Sequence, residues 1–468
     1  MSNAQDIIDN YTEQSEVIRG CLEANRKTIA TMEAMESLFE HVSAKQSLSM
    51  EDIAALNLMG EFAVTGTSAR PKDIGMSFES HTEPSIALEG ILESMKSGLS
   101  SLAANSNVAL KAIETRFFGT DVIIQAQQKR LDNINLAIKQ LQVAGSKGSL
   151  RLTLKLPEGS SITDKSSYIA ALQESVDCIT DMTKTWVNEL PKFTHSLIKT
   201  VTSFSSPGNY NDNLSRSFND LNALFAKIGS GRGFSQSEGL KTQAYVSVPL
   251  VNNRVVIVNG TSLESNGYTE RGEYRKALSH MGVTSVNAAH YYEVAEEKTV
   301  VYLHDITMSD LNQIKRSLET IIANLKLISN SGTEQVRDMR NLYRHCYTVI
   351  AAVNALTIGT FTYQQFAGLM ELAEATKMPA AIITALKTGR LIAAGATVGL
   401  SAGINYLYYK LIKFIAGWVF TTMKVQYKLT ETVDFMDAHL MSFNNNFFDF
   451  GFEVLEKASS PKTWAQSH

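Results

Sequence analysis

The spacing of apolar residues predicts a mainly helical protein. Over residues 6–42, 85–143 and 164–204, apolar side chains recur every three or four positions, as they do on one face of an α-helix. The same spacing continues over 307–457, with a break expected at Gly332. Only 8 prolines occur in 468 residues, and few prolines favour long uninterrupted helices. We therefore predict long antiparallel helices.

Three shorter runs have a different period. Residues 149–156, 243–259 and 297–305 alternate apolar and polar positions, which is typical of half-buried β-strands. In the first run, leucine occupies every second position. Within the second run, Asn252-Asn253 separates two β-rich segments and predicts a tight hairpin turn. The predicted fold class is therefore mainly α: a long helical bundle with a small antiparallel β-sheet insert.

Two short patterns predict where helices begin. Ser49 is followed three residues later by Asp52, and Thr307 is followed three residues later by Asp310. A hydroxyl residue followed by an acidic residue at this spacing is typical of a capping box, in which each side chain bonds the backbone of the other residue. Helices are therefore expected to start directly after Ser49 and Thr307.

These patterns divide the chain into four predicted parts. Residues 1–89 form an acidic helical segment with the character of a propeptide, and residues 90–145 form a long helix or a helical hairpin. Residues 146–306 form an α/β insert that contains the small sheet. Residues 307–468 form a C-terminal helical bundle with two strongly apolar helices. A hydrophobic content of 44% is ordinary for a globular protein and allows a large core.

The charge of the chain is distributed unevenly. Through Glu89 there are 15 acidic and 6 basic residues, a net charge of −9, whereas the remainder carries a net charge of +5. Detaching the N-terminal part would leave a mildly basic protein that is better suited to a polyanionic neighbour. The simpler interpretation is that the first part is an acidic, solvated helix pair.

The sequence contains no recognisable catalytic or metal-binding motif. The cysteines Cys21, Cys178 and Cys346 are too far apart for a ligand motif or a disulfide framework, which favours a reducing compartment. The nine histidines are scattered. The glycine cluster at 229–233 follows a helix and lacks the lysine of a phosphate-binding P-loop, so a simple loop is favoured. We predict no enzymatic activity, no cofactor and no metal.

Two uncharged stretches lie in the C-terminal part, at 346–370 and 391–409. In the second stretch, Gly395, Gly399 and Gly403 recur every four residues and would form a ridge without side chains on one helix face. We favour buried bundle helices that use this ridge for close helix packing. Insertion into a membrane is the alternative, because 19 uncharged residues nearly cross a hydrocarbon core of about 30 Å.

The end of the acidic part carries two tripeptides with a small residue, any residue and then glutamate. They are Ser77-Phe78-Glu79 and Ala87-Leu88-Glu89, and further matches lie upstream at 34–36 and 49–51. Most of the six matches after residue 89 fall in predicted helices or strands, where a protease cannot extend the backbone. We predict cleavage after Glu89, because Gly90 leaves little bulk beyond the bond, or otherwise after Glu79.

These features together resemble the processed internal head proteins of giant tailed bacteriophages of the phiKZ-like group. The residues that carry the resemblance are the tripeptides ending at Glu79 and Glu89. The acidic front and the helical body with a small β insert are similar in outline. In that family, a prohead protease cuts after glutamate and removes a propeptide. The mature proteins lie inside the capsid, in an inner body beside the DNA, and some are ejected with the genome.

The resemblance implies a non-enzymatic virion structural protein that is present in the host cytoplasm during assembly. It implies as partners the prohead protease, other virion head proteins, packaged DNA held by weak nonspecific electrostatics, and a membrane on ejection. The oligomeric state stays open. Two alternatives also stay open: a helical membrane-inserting or pore-forming protein that uses 346–370 and 391–409, and an assembly protein that is never processed.

Overall fold

We analysed a computed structural model of the chain. It describes residues 2–43, 49–54, 84–143, 150–157, 160–202, 207–236, 244–260, 281–292, 300–354 and 401–466.

Seven labelled helices make up most of the described chain. They are α1 (Ser2–Ser43), α2 (Pro84–Val143), α3 (Lys165–Thr202), α4 (Pro207–Gly229), α5 (Met308–Asn354), α6 (Ser401–Ala458) and α7 (Pro461–Gln466). Residues 50–54 are also helical. The prediction of a mainly α protein with a small antiparallel β insert is confirmed. The helix α2 runs for 60 residues without a break.

Six strands form two separate antiparallel sheets. The strands are β1 (Leu150–Lys155), β2 (Phe234–Gln236), β3 (Ala244–Ser247), β4 (Arg254–Asn259), β5 (Gly282–Asn287) and β6 (Val300–Ile306). Strands β1 and β6 pair only with each other, and the other sheet has the order β2-β3-β4-β5. The three predicted runs therefore contribute to two sheets, and β2 and β5 were not predicted. Strand β5 lacked a clear signal because it carries few apolar residues.

The local turn and cap predictions are confirmed. Asn253 has a φ of 56° and its N–H donates to the Leu250 carbonyl at 2.8 Å, which closes the hairpin before β4. Before residue 50, the Ser49 N–H donates to the Asp52 carboxylate at 2.9 Å. Before α5, the backbone N–H of Thr307 donates to Asp310 at 2.7 Å. Both pairs form capping boxes because each side chain satisfies an N–H that the helix leaves unpaired.

Four long helices enclose the main core. Arg116 and Arg130 of α2 pair with Asp434 and Asp449 of α6, so these two helices run parallel. Helices α3 and α5 also run parallel, because the segment between them contains α4 and the sheets. The prediction of antiparallel helices holds between the two pairs, as for α2 against α5. The largest fully buried side chains include Tyr168, Trp186, Phe225, Phe420, Phe447 and Phe448.

Gly332 does not interrupt α5, so the break predicted there is wrong. A Cβ atom at this position would lie 2.3–2.5 Å from three ring carbons of Phe117 on α2. Glycine costs about 1 kcal/mol relative to alanine in a helix interior. Here it permits close approach of α2 and α5, so tertiary packing outweighs the local preference.

Replacing Gly332 with alanine should therefore lower the free energy of unfolding by about 1–3 kcal/mol, because the Phe117 ring must move inside a packed interface. Gly20 on α1 is the matched control, since a Cβ there meets no atom within 4 Å. Gly20→Ala should raise stability by up to about 1 kcal/mol. Urea denaturation measures both. Equal changes in the two variants would contradict this account of the α2–α5 contact.

Candidate functional site

Five side chains from four helices form a buried ionic cluster in the bundle: Tyr11, Arg116, Trp186, Asp434 and Asp437. Arg116 is 3% exposed, and its Nη1 donates to Asp434 Oδ1 at 2.6 Å. The guanidinium carbon lies 5.6 Å from the centre of the Tyr11 ring, within the range of a cation–π contact. The cluster therefore joins α1, α2 and α6 through one cation.

Asp437 lies almost one turn beyond Asp434 on α6 and is 2% exposed. Trp186 Nε1 of α3 donates to its Oδ1 at 3.3 Å. Its Oδ2 and the Arg116 Nη2 are both buried without a hydrogen-bond partner in the described structure. The cluster thus places two carboxylates beside one guanidinium and leaves two polar atoms unsatisfied, which is an energetically costly arrangement in a protein core.

Burial controls how these groups titrate. Burial raises the pKa of Asp437 to about 7, although Arg116 and the Trp186 hydrogen bond act in the opposite direction. Burial also raises the pKa of Asp434, partly offset by Arg116. Burial would lower the pKa of Arg116, but Asp434 outweighs it and the pKa lies above its usual value. Arg116 therefore stays charged, and Asp437 is the group that changes charge near neutral pH.

A groove of about 600 Å³ lies between α2 and α6, next to the cluster. Val122, Ile123 and Met441 give it an apolar lining, and Tyr11 belongs to both the groove and the cluster. Near the far end, Arg130 bridges to Asp449 at 2.8 Å across the two helices. The volume is typical of a ligand site.

The lining of this groove does not assemble catalytic chemistry. Its described lining includes the Ser442 hydroxyl but no histidine, cysteine or lysine that could act on it as a base. Among the described residues, no three His, Cys, Asp or Glu side chains are placed to hold a metal ion. Burial raises the pKa of the Cys178 thiol to about 12, so this cysteine is not a reactive thiolate at neutral pH.

Comparisons with known protein families, with curated proteins and with solved structures find no match to this chain.

The structure locates one of the two predicted cleavage tripeptides. Ala87-Leu88-Glu89 lies within the first turns of α2, which begins at Pro84, and Leu88 is 5% exposed in the core. Ser77-Phe78-Glu79 lies outside the described residues. Cleavage after Glu89 would therefore require the start of α2 to unwind. Helix ends open most easily, so cleavage there stays a prediction.

The predicted glycine ridge is only partly within the described chain. Gly403 belongs to α6, whereas Gly395 and Gly399 lie outside the described residues. Of the two apolar stretches, residues 346–354 belong to α5 and residues 401–409 to α6. No helix in the described part of the chain combines the length and the apolar character that crossing a membrane requires.

Sequence reasoning missed the buried ionic cluster. A signal was present, because Asp434 and Asp437 stand three residues apart within a strongly apolar segment of α6. Charged residues on an apolar helix face are rarely buried without a partner. Their cation, Arg116, is more than 300 positions away, and only folding brings it to them.

Proposed function

We propose that this protein is a non-enzymatic structural protein of a tailed bacteriophage, located inside the capsid with the packaged DNA. In this proposal, a prohead protease removes the acidic N-terminal segment during maturation. The tripeptides ending at Glu79 and Glu89 and the charge asymmetry support the proposal from the sequence.

The peripheral packing of α1 is the structural observation that carries the proposal. This helix lies antiparallel along α2 and makes a smaller contact with α6. Helices α3 and α5 and both sheets have their main contacts elsewhere. Its 8 acidic and 3 basic residues give α1 a net charge of −5. An acidic helix on the outside of the bundle can leave without dismantling the rest of the core.

The contacts that α1 makes indicate what its removal would expose. Ile18, Met32, Phe39 and Val42 bury their side chains against the bundle. Departure of α1 would uncover an apolar face of α2, and such a face is typical of a protein–protein contact site. In the proposed mature state, this face contacts other head proteins.

Two cations would lose acidic or aromatic partners at the same step. Glu33 of α1 forms an ion pair with Lys424, whose side chain is 7% exposed. Tyr11 of α1 lies over Arg116. Removing residues 1–89 takes away a net charge of −9 and leaves a body of +5. The mature protein would then be attracted to packaged DNA by nonspecific, salt-sensitive electrostatics.

Mass spectrometry of the protein from mature particles tests the proposal. We expect an N-terminus at Gly90, or at Ser80 if cleavage follows Glu79. The same chain expressed without the phage protease should keep its original N-terminus. An N-terminus at Met1 or Ser2 in mature particles would overturn the proposal.

A pair of variants tests the cleavage site itself. Glu89→Gln should block cleavage at this bond, because the expected protease requires glutamate before it. Glu93→Gln is the matched control, since the tripeptide ending at Glu93 begins with Ile91 rather than a small residue. Loss of cleavage in the control alone would show that Glu89 is not the recognised residue.

A further inference from the structure

The two-stranded sheet presents one face to the core and the other to solvent. Leu152 and Leu154 of β1 and Val301 and Leu303 of β6 are buried in the main core. The side chains between them point outward, as the alternation of a strand requires. We call this outer surface the ribbon face, which consists of Arg151, Thr153, Lys155, Val300, Tyr302 and His304.

Two aromatic rings stand side by side on the ribbon face. Tyr302 is 61% exposed, an unusual degree for a large aromatic side chain. Its ring is nearly parallel to that of His304, with an interplanar angle of 18° and a centroid distance of 6.4 Å. Thr153, directly opposite Tyr302 on β1, is small and leaves the ring uncovered. The rings therefore form a platform open to a flat partner.

Basic side chains flank this platform along β1. Arg151 and Lys155 lie on either side of Thr153, and neither forms an ion pair within the part of the chain that the structure describes. Another cation is close, because Lys457 Nζ donates to the Thr153 carbonyl at 2.8 Å. The nearby carboxylate of Glu453 is already paired with Lys457. The ribbon face is thus locally positive around exposed rings.

We infer that the ribbon face binds single-stranded nucleic acid. Bases stack on Tyr302 and His304, while Arg151 and Lys155 contact phosphates on either side. Exposed aromatic rings within a basic sheet surface are the usual means of holding unpaired bases without sequence preference. Duplex DNA offers phosphates but keeps its bases stacked inside, so it would use the cations and not the rings. The inference deepens the proposed function, on which it rests for the source of the nucleic acid.

Fluorescence anisotropy of the purified full chain with a labelled oligothymidylate of about 12 nucleotides tests the inference. Tyr302→Ala should weaken binding roughly tenfold, with little change in its salt dependence, because it removes a stacking partner. Arg151→Gln/Lys155→Gln should also weaken binding. It should reduce the slope of log K against log salt concentration by about 1.4, or roughly 0.7 per phosphate contact.

Matched variants elsewhere provide the controls. Tyr347 on α5 is 53% exposed, and Tyr347→Ala should leave binding unchanged. Lys111→Gln/Lys129→Gln removes two exposed lysines of α2 and should leave the affinity within about twofold, since neither residue belongs to the ribbon face. Each substituted side chain is exposed, so the thermal unfolding temperature of every variant should match that of the parent.

Several results would overturn the inference. One is no saturable binding up to about 10⁻⁴ M protein, the weak end of nonspecific affinity. Others are equal losses in the control variants, duplex DNA binding as tightly as the oligothymidylate, or binding to anionic phosphatidylglycerol vesicles alone. Oligonucleotide binding with an unprocessed N-terminus in particles would refute only the proposed maturation. A processed N-terminus without such binding would refute only the ribbon-face assignment.

Discussion

Replacing Arg116 with methionine should lower the free energy of unfolding by about 3–5 kcal/mol at pH 8, the usual cost of removing one partner from a buried ion pair. Methionine fills most of the volume of the arginine stem, so the loss comes mainly from charge. Asp434 and the nearly inaccessible Asp437 would be left in the core without their cation. Urea denaturation at a fixed pH gives the difference directly.

Arg26→Met is the matched control for this prediction. Arg26 on α1 pairs with Glu23 at 3.8 Å, but its side chain is 68% exposed. An exposed pair of this kind contributes little, and the variant should stay within about 0.5 kcal/mol of the parent.

A compensated variant separates charge from packing. Adding Asp434→Asn and Asp437→Asn to Arg116→Met removes the unpaired charges and should restore most of the lost stability. A triple variant that is as unstable as Arg116→Met alone would show that the loss comes from packing. The electrostatic explanation of the cluster would then be wrong.

Asp437→Asn should alter the pH dependence of stability. The folded-state pKa of Asp437 is about 7, above its usual value of 3.8. The folded protein therefore holds this proton more tightly than the unfolded chain, and the contribution of Asp437 to stability falls as pH rises from about 4 to 7. Between pH 5 and pH 8, the variant should gain roughly 2–3 kcal/mol relative to the parent. Urea denaturation at several pH values measures this gain.

His439 should give the opposite slope, which makes it a control on the same helix. It lies between Phe435 and Phe443, and burial, together with Arg254 of β4, lowers its pKa to about 4. An unfolded chain takes up this proton below about pH 6.5, so the contribution of His439 to stability rises with pH from 4 to 6.5. His439→Gln should gain about 1–2 kcal/mol relative to the parent at pH 5, and little at pH 8.

The two pH dependences nearly cancel in the parent protein. Its stability should therefore vary less between pH 4 and 6.5 than the stability of either variant. A parallel response of the Asp437→Asn and His439→Gln variants would contradict the assignment of opposite titrations to these neighbours on α6. So would an Asp437→Asn variant whose difference from the parent is constant between pH 5 and pH 8.

Local structure was largely readable from the sequence. Helix periodicity, the caps at Ser49 and Thr307, and the turn at Asn253 all depend on residues within a few positions of one another. The pairing of strands was not readable, because β1 and β6 are separated by more than 140 residues and any alternating run could pair with another. Gly332 shows the same limit, since its helical role depends on Phe117 of a distant helix.

The amino-acid sequence by itself determined the helical class, the acidic front and the tripeptides that lead to the proposed processing. These features follow from composition and from short-range backbone geometry. Tertiary structure alone brought Tyr11, Arg116, Trp186 and Asp437 into one cluster and set Tyr302 beside unpaired cations on an open sheet. Burial and the approach of charges from distant segments determine a pKa or a binding surface, and both arise only when the helices pack.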